Sequence, residues 1–214
     1  MNMDLEQGRK PRLGVMGGTF DPIHYGHLLA AEMARSAFQL EKVLFIPTGE
    51  PPHKTDMPVS AAKWRYEMVG LAIEDNPDFE LSALELQRTG FSYTFDTLSI
   101  LRELYPEYEL FFITGSDAFR DIFTWYKVDE IFELASFIGV ARPNFEATGF
   151  LQQVENEHPE IQGKLFSLEI PALAISSSDL RKRVSMGQPI RYLLPESVRL
   201  FIQDRNLYRK DESE

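Results

Sequence analysis

The chain has 214 residues, 43% of them hydrophobic and 26% charged, a formal net charge of −11 and no cysteine. That length suits one α/β domain with an ample core, or a domain plus a small lobe, and zero cysteine excludes disulfides and thiol catalysis. The acidic balance argues against sequence-independent nucleic-acid binding, no apolar run approaches the roughly 18 residues of a membrane span, and residues 1–10 carry no apolar signal core, so a cytoplasmic location is expected.

Residues 13–16 form a short apolar run that reads as the first strand, followed directly by Gly17-Gly18-Thr19-Phe20-Asp21-Pro22-Ile23-His24-Tyr25-Gly26-His27. Two glycines behind a strand let the backbone turn sharply and approach an anion with no Cβ in the way. A helical pattern covers 28–38. If that helix begins at Gly26, His27 falls in its first turn, where unpaired N–H groups and the positive dipole end favour phosphate, and His24 stands just ahead. A Gly-Gly turn alone would also serve tight packing, but two imidazoles bracketing a glycine at a helix mouth are hard to explain as core. Zinc is a weaker reading: a closed site wants about four ligands, and His53 and His158 lie in unrelated contexts.

Strand-like stretches recur at 43–47, 79–82, 110–114, 137–141 and 165–170, with helical patterns at 61–74, 94–105, 117–123 with 128–134, and 145–155. The alternation predicts an α/β fold on a doubly wound, mainly parallel sheet. Segments 177–186 and 196–203 read as closing helices, so the expectation is a single domain over 1–214 with a small C-terminal helical portion from about 176. In such sheets ligands gather behind the carboxyl ends of the strands, near the switch in strand order. Behind 43–47, a proline loop presents His53 and Lys54, for which a solvated lysine is the ordinary alternative. Thr94 opens 94–105 as a cap or first-turn residue. Behind 110–114 comes Asp117, which the helix dipole alone would favour, and then Trp125 and Tyr126, which could equally be core aromatics. Arg142 follows 137–141 and is open to a phosphate contact or a surface ion pair. Last, Ile175-Ser176-Ser177-Ser178-Asp179-Leu180-Arg181 leads into a helix. Its hydroxyls, backbone donors and guanidinium suit phosphate oxygens, although an ordinary N-cap with a solvated basic face reads the same way.

The string Gly-Gly-Thr-Phe-Asp-Pro-Ile-His-x-Gly-His resembles the H-x-G-H signature of the nucleotidyltransferase superfamily, and most closely that of the bacterial nicotinate-nucleotide adenylyltransferase family. Ser92-Tyr93-Thr94-Phe95-Asp96-Thr97-Leu98 is similar to that family's S-Y-T-x-D-T-L, Pro51-Pro52-His53-Lys54 to its P-P-H-K, and residues 175–181 to its I-S-S-S-x-x-R. Ser116 replaces the alanine of the family's G-A-D. The resemblance implies a Rossmann-like fold and transfer of AMP from ATP to nicotinate mononucleotide. It directs Gly17, Gly18, Thr19, Phe20, His24, His27, Asp117, Ser176, Ser177 and Arg181 toward ATP. Lys54, Thr94, Trp125, Tyr126 and Arg142 go toward nicotinate mononucleotide, and His24, His27 and Arg181 are the implied catalytic residues.

Magnesium is expected on substrate phosphates and water, with no metal ligands from the chain. The attacking phosphate has a second pKa of about 6, so it needs no general base at neutral pH. The partners expected are the two nucleotides, with no nucleic acid and no membrane; a homo-oligomer stays open. Pantetheine-phosphate adenylyltransferases share H-x-G-H and I-S-S-S-x-x-R but are generally shorter and lack S-Y-T-x-D-T-L. The residues also leave room for nicotinamide mononucleotide as the preferred substrate and for a non-catalytic nucleotide-binding regulator, whereas the absence of K-M-S-K-S argues against a synthetase.

Overall fold

Strands with apolar residues on both faces must be covered on both faces, and the chain meets this requirement with a parallel sheet between two helical layers. The structure, a computed structural model, describes residues 10–50, 59–141, 147–171 and 173–209. Among these, β1 (Arg12–Gly18), β2 (Lys42–Pro47), β3 (Phe79–Leu81), β4 (Glu109–Gly115), β5 (Ser136–Ala141) and β6 (Leu165–Glu169) form one sheet in the order β3-β2-β1-β4-β5-β6. Every neighbouring pair is parallel, so the sheet is wholly rather than mainly parallel across the described strands.

Side chains alternate between the layers, as the pleat dictates. Met16, Val43, Phe45, Phe111, Ile113, Ile138 and Val140 bury against α1 (Tyr25–Phe38), α2 (Ala62–Ile73), α7 (Ser177–Ser185) and α8 (Glu196–Asp204). Leu13, Val15, Leu44, Ile46, Leu110, Phe112 and Phe137 bury against α3 (Thr94–Leu104), α4 (Ser116–Arg120), α5 (Val128–Leu134) and α6 (Ala147–Glu157). Ile190, Leu194, Val198 and Ile202 of the C-terminal portion lie in the same buried cluster as Ala31 and Phe45. Among the described residues no helix is long and apolar enough to cross a membrane.

Two elements differ from expectation. The first helix starts at Tyr25 rather than 28, because His24 supplies its cap. The helix expected over 117–123 stops at Arg120 and is followed by a 3-10 turn at Ile122–Thr124. The fully buried Phe119 ring of this short helix lies 2.5 Å from where a Cβ on Gly139 of β5 would stand, so the helix docks on bare strand backbone.

The chain runs from β1 outward to β3 and then returns to β4 on the other side of β1. The crevice this leaves at the carboxyl ends of β1 and β4 is the place where an open α/β sheet binds ligands.

Candidate active site

A cleft of about 360 Å³ occupies that crevice, walled by Gly17, Gly18, Phe20, His24 and His27 on one side and by Ile175, Ser176 and Ser177 on the other, with Thr114 and Gly115 of β4 at its base. Packing at the two glycines is tight. A Cβ on Gly17 would stand 3.2 Å from the Phe112 ring, and one on Gly18 would stand 3.0 Å from the Phe20 ring. Phe20 itself adopts a left-handed φ of 49°, uncommon for so bulky a side chain.

The two imidazoles cap α1 reciprocally. Gly26 N–H donates to His24 Nδ1 at 3.1 Å, and His24 N–H donates to His27 Nδ1 at 3.3 Å. Histidines here take the places that a hydroxyl and a carboxylate hold in a usual capping box. Because each Nδ1 accepts from the backbone, each ring's hydrogen sits on Nε2. The rings stack at 3.8 Å with 23° between planes, and Phe20 meets His27 edge-on at 5.1 Å. The helix mouth therefore combines backbone donors with two imidazoles held in one tautomer.

The carbonyls of the turn ahead of the helix are engaged by donors from several elements. Thr48 N–H holds Gly18 O at 2.8 Å, Arg65 Nη1 holds Thr19 O at 2.8 Å, Arg181 Nη1 holds Asp21 O at 2.7 Å, and Ser177 Oγ holds Pro22 O at 2.8 Å. Ser176 caps α7, accepting from Asp179 N–H at 3.2 Å. Two residues that the sequence directs to ATP phosphates, Ser177 and Arg181, thus each donate to turn backbone.

Across β1 lies a second, aromatic region. Thr94 is the first residue of α3, with Tyr93 at the cap position and no side-chain capping bond, so it is a first-turn residue. The Tyr93 and Tyr126 rings lie 4.7 Å apart. Trp125 is part-buried edge-on against Phe112 at 5.8 Å, and Phe112 in turn lies against Gly17, which connects this region to the cleft. Tyr126 is half exposed. Beneath them Glu85 is buried, with Oε1 accepting from Thr97 Oγ1 at 2.7 Å and Oε2 outside hydrogen-bond geometry. Burial pushes its carboxyl above the usual range, opposed by the Thr97 and Ser92 hydroxyls.

Asp117 is the second residue of α4, two past Gly115, with its carboxylate fully exposed and Arg120 at 3.9 Å. Lys54 and Arg142 lie outside the described residues. Arg65, Tyr208 and Glu85 carry no motif signal, and Asp21 stands within the quoted string without an expected role, yet all are built into the surroundings of the site. Arg65 gave no signal of burial, since an arginine near the start of a helix ordinarily reads as solvated.

The Cytidylyltransferase-like family matches residues 15–183. A curated probable nicotinate-nucleotide adenylyltransferase from Desulfitobacterium hafniense (strain Y51) is 59% identical over 198 residues, covering 92% of this chain and 96% of its own length. One of the same name from Moorella thermoacetica is 50% identical over 206 residues, covering 94% and 93%. The fold is shared with Plasmodium falciparum nicotinic acid mononucleotide adenylyltransferase complexed with NaAD, at TM-score 0.74 and 23% identity over 92% of this chain and 97% of that one. With a family match across most of its length and relatives this similar, the chain belongs to the nicotinate-nucleotide adenylyltransferase family of the cytidylyltransferase-like nucleotidyltransferases.

Proposed function

We propose that the chain transfers the adenylyl group of ATP to nicotinate mononucleotide, forming nicotinate adenine dinucleotide and releasing pyrophosphate. The observation that carries this reading is the paired-imidazole helix mouth at the sheet's switch point, in a chain whose relatives bear that activity's name. The relatives favour nicotinate over phosphopantetheine as the acceptor's chemistry. Both histidines and Arg181 are present, which favours an enzyme over a regulator that has lost catalysis.

In the reaction a phosphate oxygen of nicotinate mononucleotide forms a bond to the α-phosphorus of ATP as the bond to pyrophosphate breaks. The nucleophile is largely dianionic, its second pKa being about 6, so no base is needed. The protein's work is to bring two anions together and stabilise the charge that moves to the leaving group. His24 and His27 would donate from Nε2 to phosphate oxygens beside the N–H groups that open α1. Gly17, Gly18, Thr19 and Phe20 would shape the turn around the triphosphate. The start of α7 at Ser176 and Ser177, with the remaining donors of Arg181, would grip the outer phosphates. Asp117 would accept from ribose hydroxyls, and Thr94, Trp125 and Tyr126 would hold the nicotinate half, joined by Lys54 and Arg142.

Among the described residues no group of three or more His, Asp or Glu side chains could hold a metal. Magnesium would arrive with ATP, on phosphate oxygens and water. A cytoplasmic location belongs to the same proposal, since ATP is drawn from that pool.

The test is pyrophosphate release from ATP and magnesium with nicotinate mononucleotide, nicotinamide mononucleotide and phosphopantetheine in parallel. Fastest release with nicotinate mononucleotide is expected. Release with none of the three, or faster release with phosphopantetheine, would overturn the proposal.

A further inference from the structure

Asp21 sits inside the catalytic turn yet faces away from solvent, with only 3% of its surface exposed. Its Oδ1 accepts from the Tyr208 hydroxyl at 2.6 Å, across 187 residues of sequence, and its Oδ2 accepts from Ser60 N–H at 3.1 Å. Tyr208 follows α8, which is clamped to α2 by Trp64: the indole meets Phe201 edge-on at 5.9 Å and carries the Arg205 guanidinium 4.6 Å above its ring. One residue on from Trp64, Arg65 is 2% exposed and places each guanidinium nitrogen on a backbone carbonyl, those of Ser60 at 3.0 Å, Thr19 at 2.8 Å and Gly49 at 3.1 Å. Burial pushes its guanidinium below the ordinary range, and the charge of Asp21 opposes that push.

We propose that Tyr208, acting through Asp21, is a positioning residue for adenylyl transfer, by which the C-terminal segment holds the catalytic turn in place from behind.

A turn that faces a polyanion must keep its carbonyl oxygens off the ligand, and here the oxygens of Gly18, Thr19, Asp21 and Pro22 are each held by a fixed donor. Asp21 joins this scheme twice. Its carbonyl holds Arg181 and its carboxylate is set by Tyr208, so the hydroxyl of Tyr208 fixes the backbone that in turn aims Arg181. Both Phe20 and Tyr208 adopt left-handed φ values, 49° and 63°, conformations that persist only where the surroundings over-determine them. Burial beside the Asp21 charge pushes the Tyr208 phenol far above its ordinary range, which keeps it a donor at any working pH. Without that hydroxyl, Oδ1 loses its donor and the carboxylate is drawn toward Arg65, carrying the turn with it.

The inference rests on the adenylyl-transfer reading, which pyrophosphate release by the unaltered chain tests separately. The experiment compares Tyr208→Phe, Asp21→Asn and the double variant in steady-state turnover, with binding of a non-hydrolysable ATP analogue as the measure of folded sites. Expected is a loss of about ten- to a hundredfold in kcat for each single variant. Analogue stoichiometry should stay full, KM for nicotinate mononucleotide should not change, and the double variant should be no worse than the weaker single one. Loss of active protein alone would lower stoichiometry along with rate. If Tyr208→Phe does not keep full stoichiometry, Asp21→Asn, whose amide oxygen can still accept from Ser60, carries the same test. Wild-type kcat at full stoichiometry, or losses that multiply in the double variant, would overturn the latch; an inactive unaltered chain would instead overturn the reaction on which it rests.

Discussion

His24 serves two ends that different substitutions separate. Its Nδ1 caps α1 while its Nε2 is the atom proposed to meet phosphate. Asparagine is a good cap but offers no imidazole, so His24→Asn should keep its melting temperature and lose turnover. His24→Ala should lose both, with about 1 kcal/mol less stability. Thermal unfolding read beside pyrophosphate release checks the pair, and normal turnover in folded His24→Asn would remove this histidine from the mechanism. Glu85 gives a second residue-scale prediction. Burial raises its folded-state pKa, so the folded chain resists the ionisation that the unfolded chain undergoes freely. The resulting stability cost is absent below the ordinary carboxylate range and grows as pH rises from that range through the folded-state value. Glu85→Gln keeps an acceptor for Thr97 and has no charge to bury. Its urea midpoint should match the parent chain at about pH 4 and exceed it at about pH 7.5, since an unperturbed Glu titrates near 4.3. A constant offset at both pH values would show that ionisation of Glu85 is not the cause.

At the scale of elements, the short helix α4 depends on a missing side chain in its neighbour. Gly139 leaves room for the buried Phe119 ring, whose atoms lie 2.5 to 2.8 Å from where a Cβ would stand. Gly139→Ala must push that ring off its seat, an overpacking that costs about 1–3 kcal/mol. Because α4 begins directly after Gly115, which lines the cleft, the same substitution should also raise KM for ATP. Chemical denaturation and steady-state kinetics on one variant measure both effects. An unchanged KM beside a lowered midpoint would separate the packing of α4 from the shape of the cleft.

For the whole molecule, the closing helices share a core with the sheet, since Val198 and Ile202 bury in one cluster with Phe45 and Ile138. The two tryptophans report opposite sides of that arrangement: Trp64 lies against Phe201 of α8, and Trp125 against Phe112 in the other layer. In variants with either one replaced by Phe, the remaining fluorescence transition in urea should coincide with that of far-UV circular dichroism, as one cooperative unit requires. A Trp64 transition that leads the dichroism would mean that the C-terminal portion melts as a separate piece.

Much of this was legible from sequence because it is local. Each strand lies within two residues of its expected bounds, since strands buried on both faces announce themselves as short apolar runs between turns. The helix mouth at His24 and His27 was legible for the same reason: a glycine turn, a cap and two imidazoles are neighbours in the chain. The interior supports were not. Arg65 in the first turn of a helix looks like any solvated arginine, and nothing beside Asp21 foretells a partner at Tyr208. The sequence by itself determined the elements, the glycine and histidine turn and the family, all properties of contiguous residues. Only the tertiary structure decided the strand order that opens the cleft between β1 and β4, the use of Ser177 and Arg181 on turn backbone, and the closure of the turn by the far end of the chain. Those outcomes depend on which surfaces meet once the apolar faces are buried, and periodicity shows that a face is buried without showing what will cover it.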